Sequence, residues 1–335
     1  MVNSNKKYSA VITAVGMYMP EKVLDNAFFE SIVDTSDEWI MTRTGIKERR
    51  MLENGASSDM ATKAAQDLLK SKNMSPEEID LIIVATVTPD MFFPSTSCLV
   101  QGNIGAKNAW GFDMNAACCS FLFALNTGAQ FIEAGTCKKV MVIGSDKMTS
   151  ITDYTDRNNC ILFGDGASAV LLEPSEDLSF GLQDAILHIN GDGRENLYMK
   201  GGGSLNPPSH ETVDKKMHYI YQNGKAVFKE AVKGMADISY EIMQKNNLTG
   251  DDIKFLVPHQ ANLRIIDATA KRMGVGSEKV MINIHKYGNT TSCTIPSCLT
   301  EYYRAGQLKK GDKLILAAFG AGYTWGSTYL VWAID

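Results

Sequence analysis

Three short stretches carry residues whose types suit covalent chemistry, and they lie far apart in the chain. The first is F-D-M-N-A-A-C-C-S-F-L-F-A-L, Phe112–Leu125. It reads as a strand end, two small residues at a turn, and an apolar run at helical spacing. A thiol in the first turn of such a helix meets the positive end of the helix dipole and unpaired backbone N–H groups, which lower its pKa toward the thiolate. Cys118 therefore suits a nucleophile on a strand-to-helix elbow, with alanines that let an acyl group approach. Taken alone, the stretch equally fits a buried structural cysteine.

The second stretch is L-V-P-H-Q-A-N-L-R, Leu256–Arg264. Pro258 ends a buried strand, so His259 falls at a strand C-terminal end, where open α/β sheets place their sites. His188, His210 and His218 read as loop or surface residues, and His285 as a residue beside the site or on the surface. The third stretch is I-H-K-Y-G-N-T-T-S, Ile284–Ser292. By itself Asn289 is a cap or turn residue. Near the chain end, A-F-G-A-G-Y-T-W-G-S (Ala318–Ser327) offers backbone N–H groups after a buried strand, as an oxyanion hole or as a packing turn. F-G-D-G-A-S, Phe163–Ser168, reads as a similar turn, but it lacks the lysine and following helix of a phosphate-binding loop.

The elements that must position these residues alternate between strand and helix. In the first half, strands are predicted at Tyr8–Tyr18, Ile79–Thr86, Lys139–Gly144 and Ala167–Leu172. Helices are predicted at Asp34–Met41 with Ser36 as cap, at Ser58–Lys70, after Pro94 and after Cys118, with a basic turn at Arg43–Arg50. In the second half, helices are predicted at Val227–Gln244, Asn262–Met273 and Pro296–Ala305, and strands at Ile253–Val257, Lys313–Ala318 and Ser327–Ile334. The halves repeat: Ile79 and Ile253, Asn115 and Asn289, and Lys139 and Lys313 are each separated by the same 174 residues. The inference is a duplicated α/β unit, each copy a mostly parallel sheet with packed helices, with halves at 1–176 and 177–335. The elbow of Cys118 and the turn of Asn289 then become pseudo-symmetry mates that converge near the axis. A glycine-rich segment at 191–217 breaks the repeat and reads as loop throughout, mobile or part of a site.

Composition narrows the function class. The 335 residues are 44% hydrophobic and 21% charged with a net charge of −5, which gives no reason to expect nucleic acid. Seven cysteines, none in a C-x-x-C pair, point to a reduced, cytoplasmic protein. No apolar run of membrane-spanning length occurs, the first residues lack a signal-peptide core, and no metal-ligand cluster stands out.

With N-A-A-C, V-P-H-Q-A-N-L-R-I-I, H-K-Y-G-N-T, W-I-M-T-R-T-G-I and F-G-A-G-Y-T-W-G-S in view, the chain resembles the β-ketoacyl-acyl carrier protein synthase III family over nearly its full length. The resemblance implies a thiolase-type fold layered α-β-α-β-α. It implies condensation of an acyl-coenzyme A starter with malonyl-acyl carrier protein, with decarboxylation, to a 3-oxoacyl product that starts fatty-acid synthesis. The alternative is a related condensing enzyme priming a secondary metabolite such as an alkylquinolone or polyketide. The family's catalytic set falls on Cys118, His259 and Asn289, with backbone N–H groups of Cys118 and Ala321 as the oxyanion hole. Trp39, Arg43, Arg157 and Asn262 fall where coenzyme A binds. Lys229 and the Gln260, Ala261, Asn262, Leu263 and Arg264 segment fall where the acidic carrier docks. Phe93 falls where a homodimer partner closes the acyl pocket. Coenzyme A enters as substrate, so no cofactor is implied. The family's G-G-G at the chain end is here G-A-G, with Ala321 in the middle; 191–217 is longer than in the shortest members, which leaves the starter open.

Overall fold

The computed structural model describes residues 7–335. Two mixed sheets form its frame. The first runs in the order Ser9–Tyr18, Asp165–Ser175, Val140–Lys147, Leu81–Ala85, Trp110–Met114. The second runs Gly181–Ile189, Thr324–Val331, Lys313–Gly320, Phe255–Pro258, the same order one strand short. Where a fifth strand would lie, a single parallel bridge joins Leu256 to Val280.

The repeat seen in the sequence is reproduced in register. Leu81 pairs with Val140 in the first sheet, and their mates Phe255 and Leu314 pair in the second. Ile82 with Met141 and Leu256 with Ile315 follow the same rule. Because side chains alternate along a strand, equal register means equal facing. Leu81, Ile83 and Ala85 point to the interior, where helices Ser120–Glu133 and Thr294–Arg304 lie between the sheets and share a core with Phe255, Val257, Leu314 and Leu316. Ile82 and Val84 point outward, onto helices Ser57–Lys72 and Thr96–Ile104. Leu256 and Ile315 face helices Gly224–Lys245 and Leu263–Met273. The result is a duplicated thiolase-like α-β-α-β-α stack.

The sheets are not mostly parallel. Strand Thr324–Val331 follows Lys313–Gly320 through a short turn, so the two must run antiparallel. Strand Asp165–Ser175, its mate in the first half, is likewise antiparallel to both its neighbours, although residues 148–164 rather than a short turn connect it to Val140–Lys147. The segment Arg43–Arg50 is not one basic turn: the Ser36-capped helix runs Asp37–Thr44, Gly45 ends it at φ 78°, and Glu48–Met51 is a strand. F-G-D-G-A-S is not a free turn either, since Asp165 already opens a strand and its carboxylate accepts from Leu52 and Thr149 N–H groups. Within 191–217 the chain forms a helical turn at Gly191–Glu195 and a helix at His210–Asp214, and Leu197–Tyr198 pairs with Tyr221–Gln222. Among the described residues no helix is long and apolar enough to cross a membrane.

Candidate active site

Each candidate side chain is delivered by a local rule. Strand Trp110–Met114 ends at Asn115, whose Oδ1 accepts the N–H of Ala117 at 3.1 Å. That turn drives Ala117 to φ 49°, a left-handed conformation that costs a non-glycine residue on the order of 1–3 kcal/mol. A tight turn at Ala117–Cys119 then enters the helix Ser120–Glu133. Cys118 is left half-buried at the turn, while Cys119 points inward with its thiol on the Thr324 carbonyl at 3.3 Å. The second half repeats the device. Asn289 Oδ1 accepts the N–H of Thr291 at 2.9 Å, Thr291 sits at φ 53°, and a tight turn at Thr291–Cys293 enters the helix Thr294–Arg304.

Asn289 is further pinned by the first half. Its N–H donates to Leu162 O at 2.9 Å and its carbonyl accepts from Gly164 at 3.1 Å. With Oδ1 committed to Thr291, the NH₂ end of the amide is the end left as a donor. His259 follows the strand Phe255–Pro258, and its N–H donates to Ala317 at 2.7 Å. It is 1% exposed. Its Nδ1 lies 2.7 Å from Thr294 Oγ1, and its buried Nε2 has no protein partner among the described residues.

One cavity of about 1030 Å³ is lined by Cys118, His259, Asn289 and Ala321 together with Trp39, Arg43, Ala261, Asn262 and Arg264. Gly320 brings the last strand hard against the elbow: a Cβ there would lie 2.7 Å from Cys118 N. This close approach sets the Gly320 backbone beside that of Cys118, and Ala321 follows it on the cavity wall. Trp39 lies under the Arg43 guanidinium at 4.8 Å and the Arg157 guanidinium at 5.4 Å, making a cationic, aromatic mouth. Arg157 is placed through Trp39 and pairs with Asp34 at 3.1 Å.

The electrostatics differ from the expectation for a helix N-terminus. Burial pushes the Cys118 thiol up to about 12, with the nearby Asp146 carboxylate adding to the rise and its own backbone N–H opposing it. Burial pushes His259 down to about 3. For both groups desolvation is the largest influence and favours the uncharged form, thiol and imidazole.

The carrier-docking segment is split by the fold. Gln260 is fully buried; its amide donates to Pro258 O and Met281 O and accepts from Asn283 and Ile284 N–H groups. It is a structural brace and meets no partner. Leu263 packs on Gly45, and Ala261 lines the cavity. Asn262 caps its helix and donates to Arg43 O at 2.8 Å, so its amide ties the mouth together. Arg264 is exposed over the Phe228 ring at 4.6 Å, and Lys229 is exposed on the adjoining helix. Phe93 lies outside this cavity and is 85% exposed.

Residues with no sequence signal of their own complete the site. Asp146 Oδ1 accepts from Val87 and Thr88, and Oδ2 from Ser292 Oγ at 2.6 Å. Thr324 Oγ1 donates to Ala116 O at 2.8 Å, locking the elbow to the other sheet. Arg49, fully buried, binds the Ile161 carbonyl next to the segment that pins Asn289. Ser292 lies within the repeated N-T-T-S stretch, and nothing in the sequence singled out Thr294.

Comparison with known proteins agrees with the geometry. Residues 112–191 match the family model for 3-oxoacyl-[acyl-carrier-protein] synthase III, and 243–332 match the model for the C-terminal part of that enzyme. The chain is 60% identical over 326 residues to a β-ketoacyl-[acyl-carrier-protein] synthase III of Chlorobaculum tepidum, covering 96% of this chain and 99% of that one. It is 55% identical to the Porphyromonas gingivalis enzyme of the same name, covering 98% of each. The crystal structure of 3-oxoacyl-[acyl-carrier-protein] synthase III from Aquifex aeolicus superimposes with a TM-score of 0.90 at 42% identity, over 96% of this chain and 100% of that one. The priming β-ketosynthase of the R1128 polyketide pathway superimposes with a TM-score of 0.90 at 32% identity, over 99% of this chain and 98% of that one.

Proposed function

The chain belongs to the β-ketoacyl-[acyl-carrier-protein] synthase III family, and from that premise we propose how its residues share the work. The enzyme is an acyltransferase that joins an acyl-coenzyme A starter to malonyl-acyl carrier protein and so initiates fatty-acid synthesis. The observation that carries the residue assignment is the convergence of Cys118, His259, Asn289 and Ala321 on one cavity.

In the first half-reaction Cys118 Sγ bonds to the acyl carbonyl carbon and its proton passes to His259 Nε2. The Cys118 and Ala321 N–H groups hold the oxyanion; one such donor is worth about 2.7–4 kcal/mol. The bond to sulfur of coenzyme A breaks, and its thiolate takes the proton from Nε2. In the second, the malonyl carboxylate leaves as carbon dioxide and its electron pair enters an enolate on the thioester oxygen. His259 Nε2–H and the Asn289 NH₂ donate to that oxygen. The enolate carbon attacks the acyl-cysteine, and the expelled Cys118 thiolate takes a proton from water. An amide suits the third position because a carboxylate would repel the enolate and favour a charged histidine.

Trp39, Arg43 and Arg157 take the nucleotide end of coenzyme A at the mouth, and Lys229 and Arg264 meet the acidic carrier. A homodimer is supported by exposed Met91, Phe92 and Phe93 and by edge strand Trp110–Met114, whose free backbone groups invite a partner strand. Seven unpaired cysteines support a reducing, cytoplasmic setting.

The test supplies labelled short-chain, branched and aromatic acyl-coenzyme A, each with malonyl-acyl carrier protein. The expected product is 3-oxoacyl carrier with a short or branched starter. Release of free acid with no carbon–carbon bond would show a cysteine hydrolase instead. Exclusive use of aromatic or long starters would favour the secondary-metabolism reading that the likeness to the R1128 ketosynthase supports.

A further inference from the structure

We propose that Thr294 is a positioning residue that decides which nitrogen of His259 carries the ring proton. It holds Nε2 as an acceptor for acylation and, with its hydroxyl turned, as a donor for decarboxylation. The inference rests on the roles given to His259 above.

The proposed mechanism asks two opposite things of one atom. Nε2 must be a lone pair when Cys118 gives up its proton, and an N–H when the enolate forms. A neutral imidazole meets only one demand at a time, according to its tautomer. Imidazolium exists only while Nε2 carries the Cys118 proton on its way to coenzyme A; between the half-reactions the ring is neutral, because it is 1% exposed and among the described residues no carboxylate bonds to it. The partner of Nδ1 therefore controls the outcome, and that partner is Thr294 Oγ1 at 2.7 Å.

Thr294 Oγ1 also lies 2.9 Å from the Thr291 carbonyl, which can only accept. When the hydroxyl donates there, its lone pair faces Nδ1, so Nδ1 carries the proton and Nε2 is the base. When the hydroxyl turns to Nδ1, Nε2 carries the proton. The turn costs little, because the Thr291 carbonyl keeps a second donor in the N–H of Thr294.

The duplicated half shows what a fixed version of this device looks like. Ser120 is the mate of Thr294, and its Oγ donates to Ala117 O at 2.6 Å. The slot that His259 Nδ1 fills at Thr294 is filled at Ser120 by the Ala116 N–H, at 2.7 Å. A backbone N–H can only donate, so the Ser120 hydroxyl has one orientation. An imidazole nitrogen does either, so the Thr294 hydroxyl has two. Between half-reactions the ring exchanges its Nδ1 proton for one at Nε2 with solvent, one proton lost for each proton gained.

The test uses protein carrying ¹⁵N-labelled histidine and reads the two ring nitrogens of His259, alongside the two half-reactions assayed separately. The wild-type resting enzyme should show the proton on Nδ1. Thr294→Val removes the hydroxyl at nearly constant volume. In that variant an Nδ1 N–H would face a methyl group, whereas an Nε2 N–H faces the cavity, where water can accept, so the proton should move to Nε2. Acyl transfer to Cys118 should then fall about 10-fold, less than the roughly 10²–10⁴-fold of losing a base outright because the ring can still reach the Nδ1 form, while malonyl-carrier decarboxylation stays within about 2-fold. Thr294→Ser should restore the Nδ1 form and acyl transfer. A resting Nε2–H in the wild type, or equal loss of both half-reactions in Thr294→Val, would overturn the proposal. His259→Ala separates the two layers. If it spares decarboxylation, the role of His259 is wrong and this inference falls with it; if it abolishes decarboxylation while Thr294→Val changes nothing, only this inference falls.

Discussion

The two elbows of this molecule share a backbone and differ in chemistry. Asn115 and Asn289 make the same side-chain turn, Ala117 and Thr291 take the same left-handed φ, and a tight turn enters a central helix in each. One elbow presents Cys118 to the cavity. The other presents Ser292, which is 1% exposed and whose Oγ lies 2.8 Å from Ala85 O and 2.6 Å from Asp146 Oδ2. Those partners are themselves mates of active-site positions: Ala85 corresponds to His259 and Asp146 to Gly320. The fold thus supplies two equivalent corners. On the proposed assignment, chemistry belongs to the corner where a histidine stands at the strand end and a glycine leaves room for the elbow. Where an alanine and a bonded carboxylate stand instead, the corner is a structural joint. The silent corner still contributes Asn289, because its first turn is pinned to 162–164 beside the reactive one.

The largest effect expected from this contrast is at the paired residues. Cys118→Ala should abolish condensation, a loss on the order of 10⁴-fold or more. Ser292→Cys should gain no acyl group, since the partners of Ser292 bury that position; an acyl group trapped on the introduced thiol would erase the distinction. Next comes the shared oxyanion chemistry of the second step. His259→Ala and Asn289→Asp should each lower malonyl-carrier decarboxylation by about 10²–10³-fold, read as carbon dioxide release, and retain part of the acyl transfer. Gly320→Ala probes the room left for the elbow. Its methyl would meet Cys118 N at 2.7 Å, and the variant should lose acyl-transfer rate and about 1–3 kcal/mol of stability by denaturant unfolding. Ser292→Ala should show the converse, losing about 1–3 kcal/mol with acyl transfer little changed. The smallest effect is a slope. Because burial holds Cys118 up to about 12 and His259 down to about 3, thiolate grows with pH through neutrality. Alkylation of Cys118 by iodoacetamide should rise close to tenfold per pH unit from 7 to 9. A rate flat from 5 to 8 would mean a preformed ion pair.

The strand cores were legible in the sequence because they follow from short-range pattern, the repeat because its offset of 174 residues is constant, and the candidate set Cys118, His259 and Asn289 through the family resemblance. Apolar runs such as Leu81–Ala85 and Leu314–Ala318 announce buried strands, and Ser36 and Asn262 sit where caps must. Two kinds of information were not. Strand direction depends on connections, so the antiparallel strands Asp165–Ser175 and Thr324–Val331 were hidden within an α/β pattern. Desolvation depends on what packs around a group. Helix position alone suggested an acidic Cys118, and the surrounding protein reversed the sign. Gln260 shows the same limit: the resemblance set it in the carrier-docking segment, yet the backbone of Asn283 and Ile284 claims it.

The measurement closest to the central claim is fragment-ion mass spectrometry of the protein after brief exposure to acyl-coenzyme A. One acyl group on Cys118, with Cys119 and every other cysteine unmodified, is the result that two matched elbows with one open corner require. An acyl group on Cys119, or label spread over several thiols, would contradict it.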